Sequence, residues 1–385
     1  MNQVNHSFDV AIIGGGVMGC AIAWQLGQAG ARVLVIERGE IGHEASWAAG
    51  GMLAPLSEAN QADAFFELAV ASRAMYADFA RELYEITGID IEYRTEGTVY
   101  LALTDQDEAE LEQRWQWQRA AGLRVEKLSA EQVRALEPML TPRLRWALKF
   151  PDDHQVNNRR LMTALEAAVR AVGVEFWTNT EATALEISNA QVSGIETTKK
   201  NVATNTVVVA AGSWASLLKT RDGAAAMDFS VEPIRGQMIA LEMPTPPLQH
   251  IVYSGNGYLI PRLSGQVIAG STTESVGYDN RVTAEGIASI IARATEIAPA
   301  LRQQTLLETW SGLRPKTKDE WPILGMDSRI RGLVYATGHY RNGILLAPIT
   351  ARVISDLVLR GASSTTIEPF SPIRFHRCEE VRRSA

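Results

Sequence analysis

The chain has 385 residues, 46% of them hydrophobic and 21% charged, an ordinary globular composition that excludes a disordered or fibrous protein. Its length exceeds what one core usually serves, so two domains are expected. A net charge of -7, with no basic run beyond the terminal "HRCEEVRRSA", excludes nucleic acid as a partner.

Val10 to Ile13 form a continuous apolar run, as a parallel strand buried on both faces requires. Gly14-x-Gly16-x-x-Gly19, a helix ended by Gly30, and a second strand over Arg32 to Glu37 complete one βαβ unit. The apolar stretch Val10 to Leu26 has no basic leader and is interrupted by Gly14, Gly15, Gly16 and Gly19. No uninterrupted apolar run approaches the roughly 20 residues a bilayer needs, so no membrane association is expected. Cys20 and Cys378 lie at opposite ends of the sequence, with neither metal spacing nor a disulfide framework, which fits a reducing cytoplasm and no metal site.

Ala62 to Thr87 carry helical periodicity, "TEGTVYLAL" reads as a strand, and "DQDEAELEQRWQWQRAAG" as a helix opened by acids. Trp115 and Trp117 in it read as packing residues or as an oligomer contact, which leaves a homo-oligomer open. "NNRRLMTALEAAVRAVG" and "VEFWTN" repeat the helix, glycine, strand pattern, and "TNTVVVAAGSWAS" is a buried strand running into a glycine turn at Gly212. From Pro233 to Ala269, strands alternate with proline and glycine, which predicts an antiparallel sheet. "AEGIASIIARATEIAP" is a helix. "RGLVYATGHYRNGILLAPITARVISDLVL" returns to strand, a glycine turn at Gly338, and helix. Parallel-sheet elements therefore lie at the start, middle and end, so the expected fold class is α/β: a discontinuous Rossmann-like domain with an α+β substrate domain inserted twice on an antiparallel sheet. The expected divisions are 1–90, 151–226 and 315–372 for the nucleotide domain, 91–150 and 227–314 for the substrate domain, and 373–385 for a polar tail.

The glycines of Gly14-x-Gly16-x-x-Gly19 permit a tight turn, close approach of backbone to a pyrophosphate, and close helix packing. Glu37, ending the second strand, is placed to accept from ribose hydroxyls. This motif suits NAD or the adenosine half of FAD alike. "GHEASWAAGGMLAP" then favours FAD, because a small-residue loop there can pass over a pyrophosphate and a flavin ring; its Trp47 and Met52 look buried, which argues against a flexible surface loop.

"DVAIIGGGVMGCAIAWQLGQAGARVLVIERG", "ASWAAGGMLAP", "VVVAAGSWA", "SGLRPKTKDEWPILG" and "ATGHYRNGILLAPITA" resemble the D-amino-acid oxidase superfamily of flavoproteins, and within it the glycine oxidases of the thiamine pathway (the ThiO family). The resemblance covers essentially the whole chain to "PFSPIRF". It implies FAD held by Gly14, Gly15, Gly16, Gly19, Glu37, Arg38, Ala45, Ser46, Gly50, Gly51 and Met52, with Ala182, Gly212 and Gly338, and with the helix start at Asn342, Gly343, Ile344 and Leu345. Related sarcosine oxidases attach the flavin through a cysteine after the equivalent of Arg314. "RPKTKDEW" has none, so the FAD is expected to be noncovalent.

Arg314 and Arg341 sit beside glycine turns at element ends, and an arginine fork suits a carboxylate. By resemblance both bind the substrate carboxylate, with the Tyr258 hydroxyl assisting. Met52, Asn256 and Thr273 are placed in the substrate pocket, Asn256 and Thr273 where histidine and methionine are expected from the family pattern. The implied reaction passes hydride from the α-carbon of glycine, a related small amine or a D-amino acid to flavin N5. An imine forms, O2 is reduced to H2O2, and the product can be handed to thiazole synthesis. Alternatives are a dehydrogenase with another acceptor, an oxidase of a larger N-substituted amino acid, and a noncatalytic dinucleotide-binding protein. His339 reads more readily as a structural hydrogen-bonder than as a base.

Overall fold

A computed structural model describes residues 8–375. Cys378 and the rest of the expected tail beyond Phe375 lie outside the described residues. Arg374 itself ion-pairs with Asp319 at 2.7 Å, and Phe375 packs on Phe229.

Six strands form the first sheet, in the order Ile323–Met326, Leu333–Thr337, Val207–Val209, Val10–Ile13, Val33–Ile36 and Glu175–Trp177. All pairs are parallel except the edge strand Ile323–Met326. The continuous apolar run has its expected cause. Val10 and Ile12 pack with the helices on one face, while Ala11 and Ile13 pack on the other.

An eight-stranded sheet forms the second layer: Leu306–Lys316, Glu232–Glu242, Gln266–Gly270, Gly257–Arg262, Ile251–Ser254, Thr98–Ala102, Trp146–Phe150 and Glu126–Ser129. It is antiparallel except at one junction, where Ile251–Ser254 runs parallel to Thr98–Ala102 with Val252 opposite Val99. That junction joins strands from two separate stretches of chain, so no hairpin sets their direction. Trp115 and Trp117 pack at the edge of a small core beside this sheet, Trp117 edge-on to Phe66 at 5.7 Å.

The helix Gly343–Arg360 carries Pro348 inside it. Proline has no N–H to donate back to the Ile344 carbonyl, and its ring disturbs the next bond as well. Helix Ala64–Thr87 repairs both defects. The Tyr76 hydroxyl donates to Ile344 O, while Ser72 Oγ donates to Leu345 O at 2.7 Å and accepts from Ile349 N–H at 3.4 Å. Tyr76→Phe strands a buried carbonyl, and is expected to lower stability by about 1–3 kcal/mol in denaturant unfolding. An unchanged midpoint would show that the carbonyl freed by Pro348 needs no partner.

Candidate active site

A cavity of about 630 Å³ is lined by residues of both sheets, within the range of cofactor sites. Its first end is the βαβ turn. Gly14 adopts a φ of 108°, and a Cβ there would lie 2.4 Å from the Ala210 carbonyl oxygen. Gly19 sits beneath it, with room for a Cβ only 1.8 Å from Gly14 O. Helix Val17–Gln28 opens into the cavity with Gly16 as its N-cap. Because that cap has no side chain, Ser46 Oγ accepts from Val17 N–H at 2.9 Å.

Glu37 is buried at the end of its strand. Its carboxylate accepts from Gly15 N–H at 2.7 Å and Gly39 N–H at 2.9 Å, and it still lines the cavity. Arg38 lies 3.5 Å over the Trp214 ring and pairs with Glu44. Ala182 and Gly212 line the same end.

The small-residue stretch is pinned by groups from elsewhere in the chain. Asn158 Nδ2 donates to the carbonyls of Ser46 and Trp47, Trp310 Nε1 to that of Ala48, and Arg262 Nη2 to that of Gly50. Ala45, Ser46, Gly50, Gly51 and Met52 all face the cavity. Trp47 and Met52 are half-buried rather than buried. Residues 45–48 close into one helical turn, which sends Trp47 outward to stack on His43 at 4.7 Å and beneath Arg159. Not every glycine reaches the cavity. Gly15, Gly19 and Gly338 do not line it, and Leu345 points into the core, 2% exposed.

At the far end stand Arg314, Arg341, Tyr258, Asn256 and Thr273, with Asn342, Gly343 and Ile344 at the start of the last long helix. Arg314 does not sit at a turn. It lies inside strand Leu306–Lys316 opposite Ile234, because the strand continues through Pro315 on the sheet edge. Its guanidinium donates to Ser271 Oγ at 2.8 Å and to Thr272 O at 3.2 Å. Arg341 is exposed, 5.1 Å from the Tyr340 ring centroid. The Tyr258 hydroxyl donates to Met238 Sδ at 3.2 Å, a weak acceptor that a carboxylate would outcompete.

His339 is buried, with Nε2 3.1 Å from Thr350 Oγ1, and burial pushes its imidazole down to about 3. It is neutral at working pH and holds the turn. Cys20 is likewise buried, its Sγ donating to Gly15 O at 3.3 Å, and burial raises its thiol pKa.

Sequence reasoning missed Glu58, which lines the cavity, and Gly236, whose missing side chain leaves space for Arg314. Glu58 lies three residues beyond the quoted stretch, which ends at Pro55, and no motif marked it.

The residues present fit FAD. Two helix N-termini open into the cavity, suited to a diphosphate and to an electron-rich ring edge. Glu37 suits ribose hydroxyls. The wall of Ala45, Ala48, Ala49 and Gly50 leaves room for a flat ring. A dinucleotide cleft that continues into a chamber with two arginines defines a cofactor-dependent oxidoreductase.

Comparison with known proteins makes the class particular. The family model described as FAD dependent oxidoreductase matches residues 9–357. A glycine oxidase of Geobacillus kaustophilus is 36% identical over 96% of this chain and 98% of its own. The crystal structure of glycine oxidase from that organism superposes with a TM-score of 0.91 over 95% of this chain and 98% of the other. A bifunctional ThiO/ThiG protein of Synechocystis is 36% identical over 95% of this chain, which spans 54% of its length. The chain belongs to the FAD dependent oxidoreductase family and, within it, to the glycine oxidase group.

Among the described residues no helix is long and apolar enough to cross a membrane.

Proposed function

We propose that this protein oxidatively deaminates glycine and related small amines or D-amino acids, working in the cytoplasm with noncovalent FAD. The observation that carries this reading is the pair of guanidiniums lining one end of a dinucleotide cavity, Arg314 from a strand and Arg341 from the turn before a helix. Bound FAD would supply the two-electron acceptance the reaction needs, with O2 as the terminal oxidant and H2O2 as its product.

The chain's own residues position the substrate. Arg314 and Arg341 grip the carboxylate by charge-assisted hydrogen bonds, with the Tyr258 hydroxyl turning from Met238 to join them. Held at that end, the α-carbon is aimed at the ring, which is catalysis by orientation. Met52, Asn256 and Thr273 bound the space left for a side chain or N-substituent. The neutral imidazole of His339 takes no proton, and the imine leaves to be hydrolysed or consumed.

Relatives named ThiO/ThiG carry a segment like this chain in one polypeptide with a second activity. That fusion supports handing the imine to thiazole synthesis for thiamine. The test is to mix purified holoenzyme anaerobically with glycine, sarcosine, D-alanine and D-proline and to follow the flavin absorption. Bleaching by glycine, reversed by air with one H2O2 per turnover, is expected. Bleaching that only a dye or quinone reverses would make the protein a dehydrogenase, and no bleaching by any of the four would move the substrate to a larger amine.

A further inference from the structure

Glu58 ends the one-turn helix Pro55–Glu58 and lines the cavity together with Arg314 and Arg341. Its helix is held by three polar side chains from distant segments. Asp153 accepts from Leu56 N–H at 3.0 Å and Ser57 N–H at 3.1 Å. Arg114 donates to the carbonyls of Ser57 and Ala59, and Gln118 Nε2 donates to Leu56 O at 2.7 Å. All three holders are buried. Such a platform fixes the backbone of a single turn far more firmly than its length explains.

The carboxylate it presents is, by contrast, unengaged. Among the described residues nothing donates a hydrogen bond to the Glu58 carboxylate or forms an ion pair with it. An acid enclosed in a cavity without a donor is costly unless a ligand completes it. The groups that act on it come from every side: Arg341 before the last long helix, Arg314 on its strand, Arg114 on helix Asp105–Ala120, and Asp153. Tyr253, on strand Ile251–Ser254, feels its charge in turn. Burial raises the carboxyl to about 7, while Arg341, Arg114 and Arg314 pull it down and Asp153 pushes it up.

We propose that Glu58 receives the ammonium group of the substrate, opposite the arginines that receive its carboxylate; this rests on the amino-acid reading above. Each charge of a zwitterion then meets its opposite. A plain carboxylate satisfies the arginines but leaves Glu58 unpaired beside a second anion. The chamber thereby selects amino acids over simple acids, a discrimination that two arginines alone cannot make.

Glu58→Gln keeps the shape and removes the charge. Wild-type and variant holoenzyme are titrated with acetate and with α-aminoisobutyrate, a zwitterion that has no α-hydrogen to lose, following the flavin absorption band. The variant is expected to bind α-aminoisobutyrate about 10- to 100-fold more weakly, with acetate binding unchanged or tighter. A residue that merely supports the arginines would move both ligands the same way. Parallel changes, or no change in either, overturn the assignment while leaving the amino-acid reading intact. If wild-type holoenzyme binds neither ligand, the amino-acid reading fails and the assignment falls with it. Should the glutamine variant not retain flavin, Glu58→Asp serves instead: α-aminoisobutyrate must still weaken relative to acetate, and equal effects reject the proposal.

Discussion

Arg341→Ala is expected to leave FAD bound while raising the apparent substrate constant about 30- to 1,000-fold, the loss of one charged anchor worth about 2–4 kcal/mol. The two effects separate because Arg341 acts through its side chain, whereas the adjacent helix start at Asn342 to Ile344 lines the cavity in its own right. Shortening the side chain leaves that helix start in place, since Tyr76 and Ser72 hold its carbonyls from below. The check is steady-state kinetics on glycine beside the visible spectrum of the purified variant. A normal spectrum with a normal substrate constant would remove Arg341 from the site.

Gly236→Ala is expected to lower kcat/KM by about 100-fold or more with little change in fold, since displacing a positioning group by an ångström has effects of that size. A Cβ at Gly236 would lie 2.0 Å from Arg314 Nη1 and 2.3 Å from its Cζ and Nη2. The atoms in conflict are the far end of a flexible side chain, so the guanidinium swings away and the sheet stays. In doing so it leaves Ser271 Oγ and Thr272 O, the two groups that aim it. Thermal unfolding should shift by no more than a few degrees. Full kcat/KM in the variant would show that the aim of Arg314 is unimportant, and a collapse in stability would show that Gly236 serves the sheet instead.

Much of the cofactor end was legible because its determinants are local. The turn at Gly14, the close approach of Gly19 and the acid at Glu37 belong to one βαβ unit, where strand, helix and strand each announce themselves by apolar period. The small-residue stretch was read as a chain segment passing near the cofactor. What holds it there was not readable, because Asn158, Arg262 and Trp310 reach its carbonyls from other elements. Trp47 misled for a related reason. A large aromatic among small residues looks buried, but one helical turn carries it outward onto His43. Pro348 posed a related problem: the sequence read as one helix through it, with no sign that Ser72 and Tyr76 would satisfy the carbonyls it leaves.

By itself the sequence determined a parallel sheet with a glycine-rich dinucleotide turn and the helix start at Asn342, because hydrophobic period and backbone permissiveness are properties of contiguous residues. Only the tertiary structure decided the substrate chamber. Glu58, Gly236, Arg314 and Arg341 come from a one-turn helix, two strands and a turn that no local pattern relates. Their meeting depends on sheet order and register, with Gly236 opposite Gly312 and Ile234 opposite Arg314. A shift of one residue along that pair would turn Arg314 to the other face of the sheet, since side chains alternate along a strand.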